Sequence, residues 1–359
     1  MRTLLCVITL VFIGHAQAQQ AIDPAVFQAL SNAREAQQSR DFATAQRMLE
    51  AVLNSTETGS LERALVQQRL GYVAIEGQRS AEAIDWLRKA LAQEQLDDQT
   101  ASQERRNLAQ LLAQAGQDAE AVSLLEVELA ADNLPLDTRR LLVQLYNRLE
   151  RYSKAIPLAE QVVRENPDVD GVWYQLLAGM NYRLQRYKAA EKWFRLLLRR
   201  QPESAETWRQ LAAVQSMDRR QGDAAGTLRL AYEGGIRLRE IDLEKLLALH
   251  VAAGAPWQAA RLLEALLQQK LLSASHVRTE RLAQLWQQAR DHARAEQAWR
   301  TLARSTGETD HWMQLASIQL ERGRWPELLD SLAQARAGAS AEQHQVMNQW
   351  AEYARRAME

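Results

Sequence analysis

The chain has 359 residues, with 44 Lys and Arg against 45 Asp and Glu, a net charge of −1. That balance gives no long-range field to draw in nucleic acid or an acidic membrane. Hydrophobic residues make up 47%, enough for a sizeable core, and the single cysteine excludes a disulfide framework within the chain.

The N-terminus reads as a cleaved secretory signal. Arg2 supplies a positive start, Leu4 to Ile13 an apolar run, and Ala16-Gln17-Ala18 a small-x-small cleavage site before Gln19. The run is about half of the roughly 20 residues that span a bilayer, so residues 1–18 are expected to be removed rather than kept as an anchor. Cys6 lies inside the apolar run and would leave with it. The mature protein is then expected in the periplasm, without a cysteine and without a transmembrane segment.

From residue 22 onward a helical pattern recurs. Its clearest copy is Trp208 to Ala231, two amphipathic halves joined by a polar turn. With Trp208 numbered as position 4, Leu211 falls at 7, Ala212 at 8, Ala224 at 20, Leu228 at 24 and Ala231 at 27. Position 8 is read as Ala33, Gly71, Ala109, Val143, Ala178, Ala212, Ala248, Ala283 and Ala316, spaced 33 to 38 residues apart. Small side chains there let two helices cross closely, and Val143 predicts a slightly wider crossing. Position 20 is Ala45, Ala83, Ala121, Ala155, Ala190, Ala224, Ala260 and Ala295, with Leu328 in the last copy. Position 24 carries large apolar residues: Leu49, Leu87, Leu125, Phe194, Leu228, Trp299 and Leu332. Helices of this spacing cannot bury their apolar stripes alone and must stack on neighbours.

The connections agree with this reading. Gly77 to Arg79, Gly116 to Asp118, Arg220 to Gly222 and Arg322 to Arg324 place Gly or polar residues where a first helix stops. Pro167 and Pro202 close two repeats, and Pro157 kinks its helix if it lies beyond the first turn. Polar loops at Asn54 to Ser60 and Gln93 to Thr100 lengthen the first repeats. Ala341 to Arg356 forms a last helix, with Val346, Trp350 and Tyr353 on the apolar side that caps the stack. The expected division is 22–134 for repeats 1–3, 135–340 for repeats 4–9 and 341–359 for the cap.

Chemistry-bearing patterns are missing from this sequence. His250, His276, His292, His311 and His344 have no partner at metal-ligand spacing, and no P-loop, G-x-S-x-G or G-x-G-x-x-G occurs. No catalytic residue, metal or cofactor is therefore expected. His292 takes position 17, where Tyr152, Tyr187, Trp257 and Trp325 stand in other repeats, and reads as a packing residue. Most tryptophans likewise follow the repeat period rather than forming a ligand stripe.

What remains is the face of the first helices, at positions 2, 5, 9, 12 and 13. In the middle repeats it presents Arg140, Gln144, Asn147 and Arg148, then Gln175, Gly179, Tyr182 and Arg183, then Arg209, Ala213, Ser216 and Met217. Arg140, Arg148, Arg183 and Arg209 would set several guanidinium forks on one wall, suited to carboxylates. A merely solvated wall explains the same residues.

The period and the alternation of large and small residues over 22–340 resemble the tetratricopeptide repeat (TPR) superfamily. The resemblance implies an all-α, right-handed TPR superhelix, an α-solenoid of about nine helix-turn-helix repeats plus a capping helix. It also implies a non-enzymatic scaffold that binds protein or peptide partners. The Lys-and-Asn pattern of the carboxylate-clamp subfamily is not reproduced. A narrower likeness lies in the second half, in YNRLERYSKAIPLAE, VWYQLLAGMNYRLQRYKAAE, AYEGGIRL and LLALHVAAGAPWQAARLLEALL, before TERLAQLWQQARDHARAEQAW. This series is similar to secreted TPR proteins found with TonB-type energy-transducing systems of Gram-negative bacteria. Membership would imply a periplasmic accessory of a TonB/ExbB/ExbD complex or of an outer-membrane receptor. The alternative is an adaptor for envelope assembly, in polysaccharide export or outer-membrane protein biogenesis.

Overall fold

The computed structural model describes residues 22–131, 134–166 and 168–359. The expected signal segment, 1–18, and the repeat-closing Pro167 lie outside the described residues. Every regular element described is helical.

Eighteen of the α-helices pair into nine hairpins, and a nineteenth follows them. The described residues fall into two compact units that part between residues 167 and 168. The first unit holds α1 (Pro24–Gln38) with α2 (Phe42–Leu53), α3 (Leu61–Glu76) with α4 (Ser80–Leu91), α5 (Asp98–Gln114) with α6 (Asp118–Ala130), and α7 (Leu136–Arg148) with α8 (Tyr152–Glu165). In the second, α9 (Gly171–Arg183) pairs with α10 (Tyr187–Arg200) and α11 (Ala205–Met217) with α12 (Gln221–Glu233). There α13 (Glu240–Ala252) with α14 (Pro256–Gln268), α15 (His276–Gln288) with α16 (His292–Thr306) and α17 (Thr309–Glu321) with α18 (Trp325–Ala335) continue the series, and α19 (Ala341–Met358) ends it.

One turn joins the two helices of every hairpin. It is three residues long, and its middle residue is left-handed: Arg40, Gln78, Gly116, Glu150, Gln185, Arg219, Gly254, Arg290 and Gly323 in chain order. The next N–H reaches back five residues to the first helix, as from Arg186 to the Asn181 carbonyl and from Arg220 to the Gln215 carbonyl, both at 2.9 Å. This Schellman closure satisfies carbonyls that the helix end leaves open. Six of the nine left-handed positions hold a residue with a Cβ, although that conformation favours glycine. The turn expected at Arg220 to Gly222 is centred instead on Arg219, and Gly222 lies inside α12.

Several first helices, and two of the second, begin on a side-chain cap. Ser60 accepts from the Arg63 N–H at 3.1 Å, Asp97 from Thr100 at 2.9 Å, Asp170 from Val172 at 2.8 Å and Asp291 from Arg294 at 3.1 Å. The Asp97 cap starts α5 at Asp98, which shortens the expected Gln93 to Thr100 loop. Residues 54–60 do connect α2 to α3, tied by the Arg63 guanidinium to the Thr56 carbonyl at 2.9 Å. Pro157 is the sixth residue of α8, beyond the first turn, and the helix continues through it.

Close packing at positions 8 and 20 holds each hairpin. Ala33, Gly71, Ala109, Val143, Ala178, Ala212, Ala283 and Ala316 are buried, and so is the whole position-20 series. A Cβ on Gly71 would stand 2.7 Å from Leu87 Cδ2, so only glycine fits there. Val143 takes the same place on α7 and is fully buried.

Two registers differ from the sequence reading. Ala248 is exposed, whereas Leu247 is fully buried and stands seven residues before the left-handed Gly254, as every other position-8 residue stands before its own turn. Position 20 of that repeat is therefore Ala259, and Ala260, also buried, is its neighbour. Leu247 is thus the largest residue at position 8 among the nine hairpins, and it is fully buried. Position 17 moves with it to Pro256, and Trp257 is 46% exposed rather than packed between helices. In α19 the buried face is Met347, Ala351 and Ala354; Trp350 packs at its edge, and Tyr353 is exposed with its ring 5.6 Å from Trp325.

The corrected register separates two similar substitutions. Ala212→Leu should overpack the α11–α12 crossing and lower stability by about 1–3 kcal/mol, read as an earlier thermal unfolding midpoint. Ala248→Leu should stay within about 0.5 kcal/mol of the parent, as surface changes do. Equal loss in the two variants would overturn the register.

Candidate protein-binding surfaces

The residues singled out from sequence fall in both units. In the first, α7 carries four of them. Gln144 is exposed and Asn147 half-buried. Arg140 pairs with Asp137 at 3.2 Å, and its Nε is buried without a hydrogen-bond partner. Arg148 is already occupied: its fork holds both Asp118 oxygens, at 2.7 and 2.6 Å, and clamps the end of α7 to the start of α6.

In the second unit Gln175, Tyr182 and Arg183 lie exposed on α9. The Tyr182 ring leans on Tyr187, centroids 6.0 Å apart, which fixes an aromatic plane at the end of the helix. Arg183 has no ion pair among the described residues. Arg209, by contrast, bridges α11 to α13 through Glu206 and Asp242, the latter at 3.1 Å. Of the four arginines in the expected wall, Arg183 is the one whose guanidinium is uncommitted, because the other three answer carboxylates in their own or a neighbouring helix.

An apolar component escaped the sequence reading. Val172, Ile241 and Val277 are 64%, 67% and 75% exposed, each at position 2 of its first helix, one on α9, one on α13 and one on α15. Met217 and Val251 are exposed near the other ends of α11 and α13. These residues stand beyond the N-cap, where the helix has no partner to cover them. Their common position was a readable signal, but the displaced register of α13 hid Ile241 from it.

A buried ionic cluster braces the other side of these hairpins. Glu191 of α10 accepts from Arg195 at 2.8 Å, from Gln215 of α11 at 3.0 Å, and from Arg220 at the α11–α12 turn. Gln215 accepts in turn from Thr227 at 2.6 Å, and both are buried. Burial alone would raise the Glu191 carboxyl, but the hydrogen bonds from Arg220, Gln215 and Arg195 outweigh it and hold it at about 2. Among the described residues no three His, Cys, Asp or Glu side chains converge as a metal cage. No described helix is long and apolar enough to cross a membrane.

A family model described as tetratricopeptide repeat matches residues 30–99 and 140–205, which take in most of the hairpins α1–α2, α3–α4, α7–α8 and α9–α10. No curated protein matches the chain. Among solved structures, it is similar to a tetratricopeptide repeat protein from Parabacteroides merdae, 15% identical over 73% of this chain and 99% of that one, with a TM-score of 0.39. It is also similar to the C-terminal part of a TPR repeat-containing protein from Cytophaga hutchinsonii, 18% identical over 76% and 94% of the two chains, with a TM-score of 0.37. A third is YrrB, described as a TPR protein with an unusual peptide-binding site: 14% identical over 57% and 95%, with a TM-score of 0.38.

The Glu191 cluster makes stability depend on acid. A carboxyl held at about 2 in the folded state, against 4.5 when free, contributes stability that is fully present above 4.5 and is lost as pH falls towards 2. At about 1.4 kcal/mol per unit the contribution is about 3 kcal/mol. Denaturant unfolding should therefore show a decline between pH 4.5 and 2 that is shallower in Glu191→Gln. An identical slope in that variant would mean that the cluster does not act this way.

Proposed function

We propose that this tetratricopeptide-repeat protein is a non-enzymatic scaffold of the periplasm that serves as an accessory of a TonB-type transport system. The protein-binding part of this reading rests on one observation. The first helices of the second unit carry exposed side chains on one set of positions: Val172, Arg183 and the Tyr182 ring, held by Tyr187, on α9, Ile241 on α13 and Val277 on α15. Apolar anchors beside an uncommitted guanidinium suit a peptide segment with a carboxylate. Export is supported by Arg2, the Leu4 to Ile13 run and the Ala16-Gln17-Ala18 site, and the transport context by the likeness in the second half of the sequence.

The test is in-cell photo-crosslinking from a probe at Tyr182, with adducts identified by mass spectrometry. Recovery of TonB, ExbB, ExbD or an outer-membrane receptor is the expected result. Recovery of glycan-export or barrel-assembly proteins would replace the transport role with envelope assembly, and the absence of any adduct would remove α9 as the working face. In the same cells Arg183→Glu should reduce capture severalfold and leave thermal unfolding unchanged, because its guanidinium supports no contact in the fold.

A further inference from the structure

Local rules of helix stability are broken twice around one groove of the second unit. The groove runs between α10 and α12, is floored by Trp208 and Leu211 of α11, and encloses about 540 Å³. Its α10 wall is basic. Arg195 and Arg199 line it, and the same helix face runs on beyond the groove through Lys192 and Lys188, which border an adjoining depression of about 410 Å³ together with those two arginines. The four cations follow at i, i+4, i+7 and i+11 and are all exposed, so like charges stack along one helix face, which disfavours a helix on its own. The whole of α10 carries five basic residues against one acid, Glu191, in a chain of net charge −1. Among the described residues, Arg195 alone of these four has an ion pair, with that buried acid.

The α12 wall has the second anomaly. Gly222 in the first turn and Gly226 in the interior lie four residues apart, and a Cβ on either would meet nothing within 4 Å. Glycine at an interior position such as 226 weakens a helix relative to alanine, and packing within this chain does not ask for it. Bare backbone on the wall of a groove lets another chain come close. Leu230 on the same wall is 62% exposed. The sole acid lining the groove, Asp223, is bound to Arg220 at 2.8 Å.

A second copy of the frame shows what is specific to the first. In α16–α18 the residues Arg300, Arg304, Trp312, Leu315 and Gln319 line a groove of about 690 Å³ and take the places of Arg195, Arg199, Trp208, Leu211 and Gln215. A buried Glu296 braces Arg300 there as Glu191 braces Arg195. Where the first copy has Lys188, Lys192, Gly222 and Gly226, however, the second has Ala293, Gln297, Pro326 and Asp330. Structural bracing is common to the two copies. The added cations and the bare wall belong to the α10–α12 groove alone.

We propose that the α10–α11–α12 groove docks an acidic segment of a partner protein. The partner's carboxylates would lie over Lys188, Lys192, Arg195 and Arg199, and an apolar side chain would sit on the floor against Trp208, Leu211 and Leu230. This surface is separate from the exposed face of α9, α13 and α15, so the two can succeed or fail independently. A recessed groove suits a single extended segment better than a flat anionic membrane surface, because Trp208 and Leu211 lie on its floor between two helices.

The probe is a fluorescein-labelled synthetic peptide of repeated Glu-Glu-Leu, titrated by anisotropy against the full chain. Its Lys-Lys-Leu counterpart and vesicles of phosphatidylglycerol serve as competing occupants. The acidic peptide should bind and the basic one should not. The double variant Lys188→Glu/Arg199→Glu should bind at least about tenfold more weakly. Gly226→Leu should weaken binding comparably by filling the groove while keeping or raising the thermal midpoint. Arg304→Glu, in the second copy, should bind as the parent does. Undiminished binding by the double variant, equal binding of the basic peptide, or capture of the vesicles but not the peptide would overturn the proposal.

Discussion

The approach of two helices at positions 8 and 20 is the constraint on which the rest depends. A helix of 11 to 17 residues buries too little by itself to be stable, so each one relies on its hairpin mate and on the next hairpin. The residue at position 8 lies buried in that crossing, as Gly71 in one hairpin, alanine in most, and Val143 or Leu247 in two. The Schellman turn keeps that residue seven positions ahead of the left-handed one in each hairpin. Packing distance and turn geometry are thereby locked to each other, and the position-24 residues can fill the layer between hairpins.

Ion pairs add a second, directional tie between neighbours. Arg209 reaches Asp242, Arg278 reaches Glu240 and Glu244, Arg88 reaches Glu120, and Arg322 reaches Glu296. Each joins one hairpin to the adjoining one. Where the carboxylate is buried, as at Glu191 and Glu296, it is shared by two arginines, one on its own helix and one at the turn of the next hairpin.

The fold was legible because small residues at a fixed period are hard to explain otherwise. The errors were local and share a cause. In the seventh repeat Ala248 stands beside Leu247, and Ala259 beside Ala260, so size alone could not say which residue faced the crossing. In α19 the sequence favoured the bulkier Val346, Trp350 and Tyr353, yet the layer beneath accepts Met347, Ala351 and Ala354 because small side chains let the last helix lie closer. The binding face was less readable. Arg148 meets Asp118 and Arg209 meets Asp242 across separations of about one repeat, and nothing in the local sequence marks those partners. Exposure, which distinguishes Arg183 and Val172 from their neighbours, becomes visible only once the helices are placed.

The three-residue turn also governs how such a chain can change length. Each of the nine connections inside hairpins is three residues long with a left-handed middle residue, whereas connections between hairpins range from the two residues 307–308 to the seven of 54–60 and of 269–275. Added or lost residues can therefore be absorbed only at the outer joints, where no helix crossing has to be kept. A hairpin is thus the smallest unit that can be duplicated, deleted or exchanged without disturbing its neighbours' interiors. The recurrence of Arg195, Arg199, Trp208, Leu211 and Gln215 three hairpins further on has the form that copying in such blocks would leave behind.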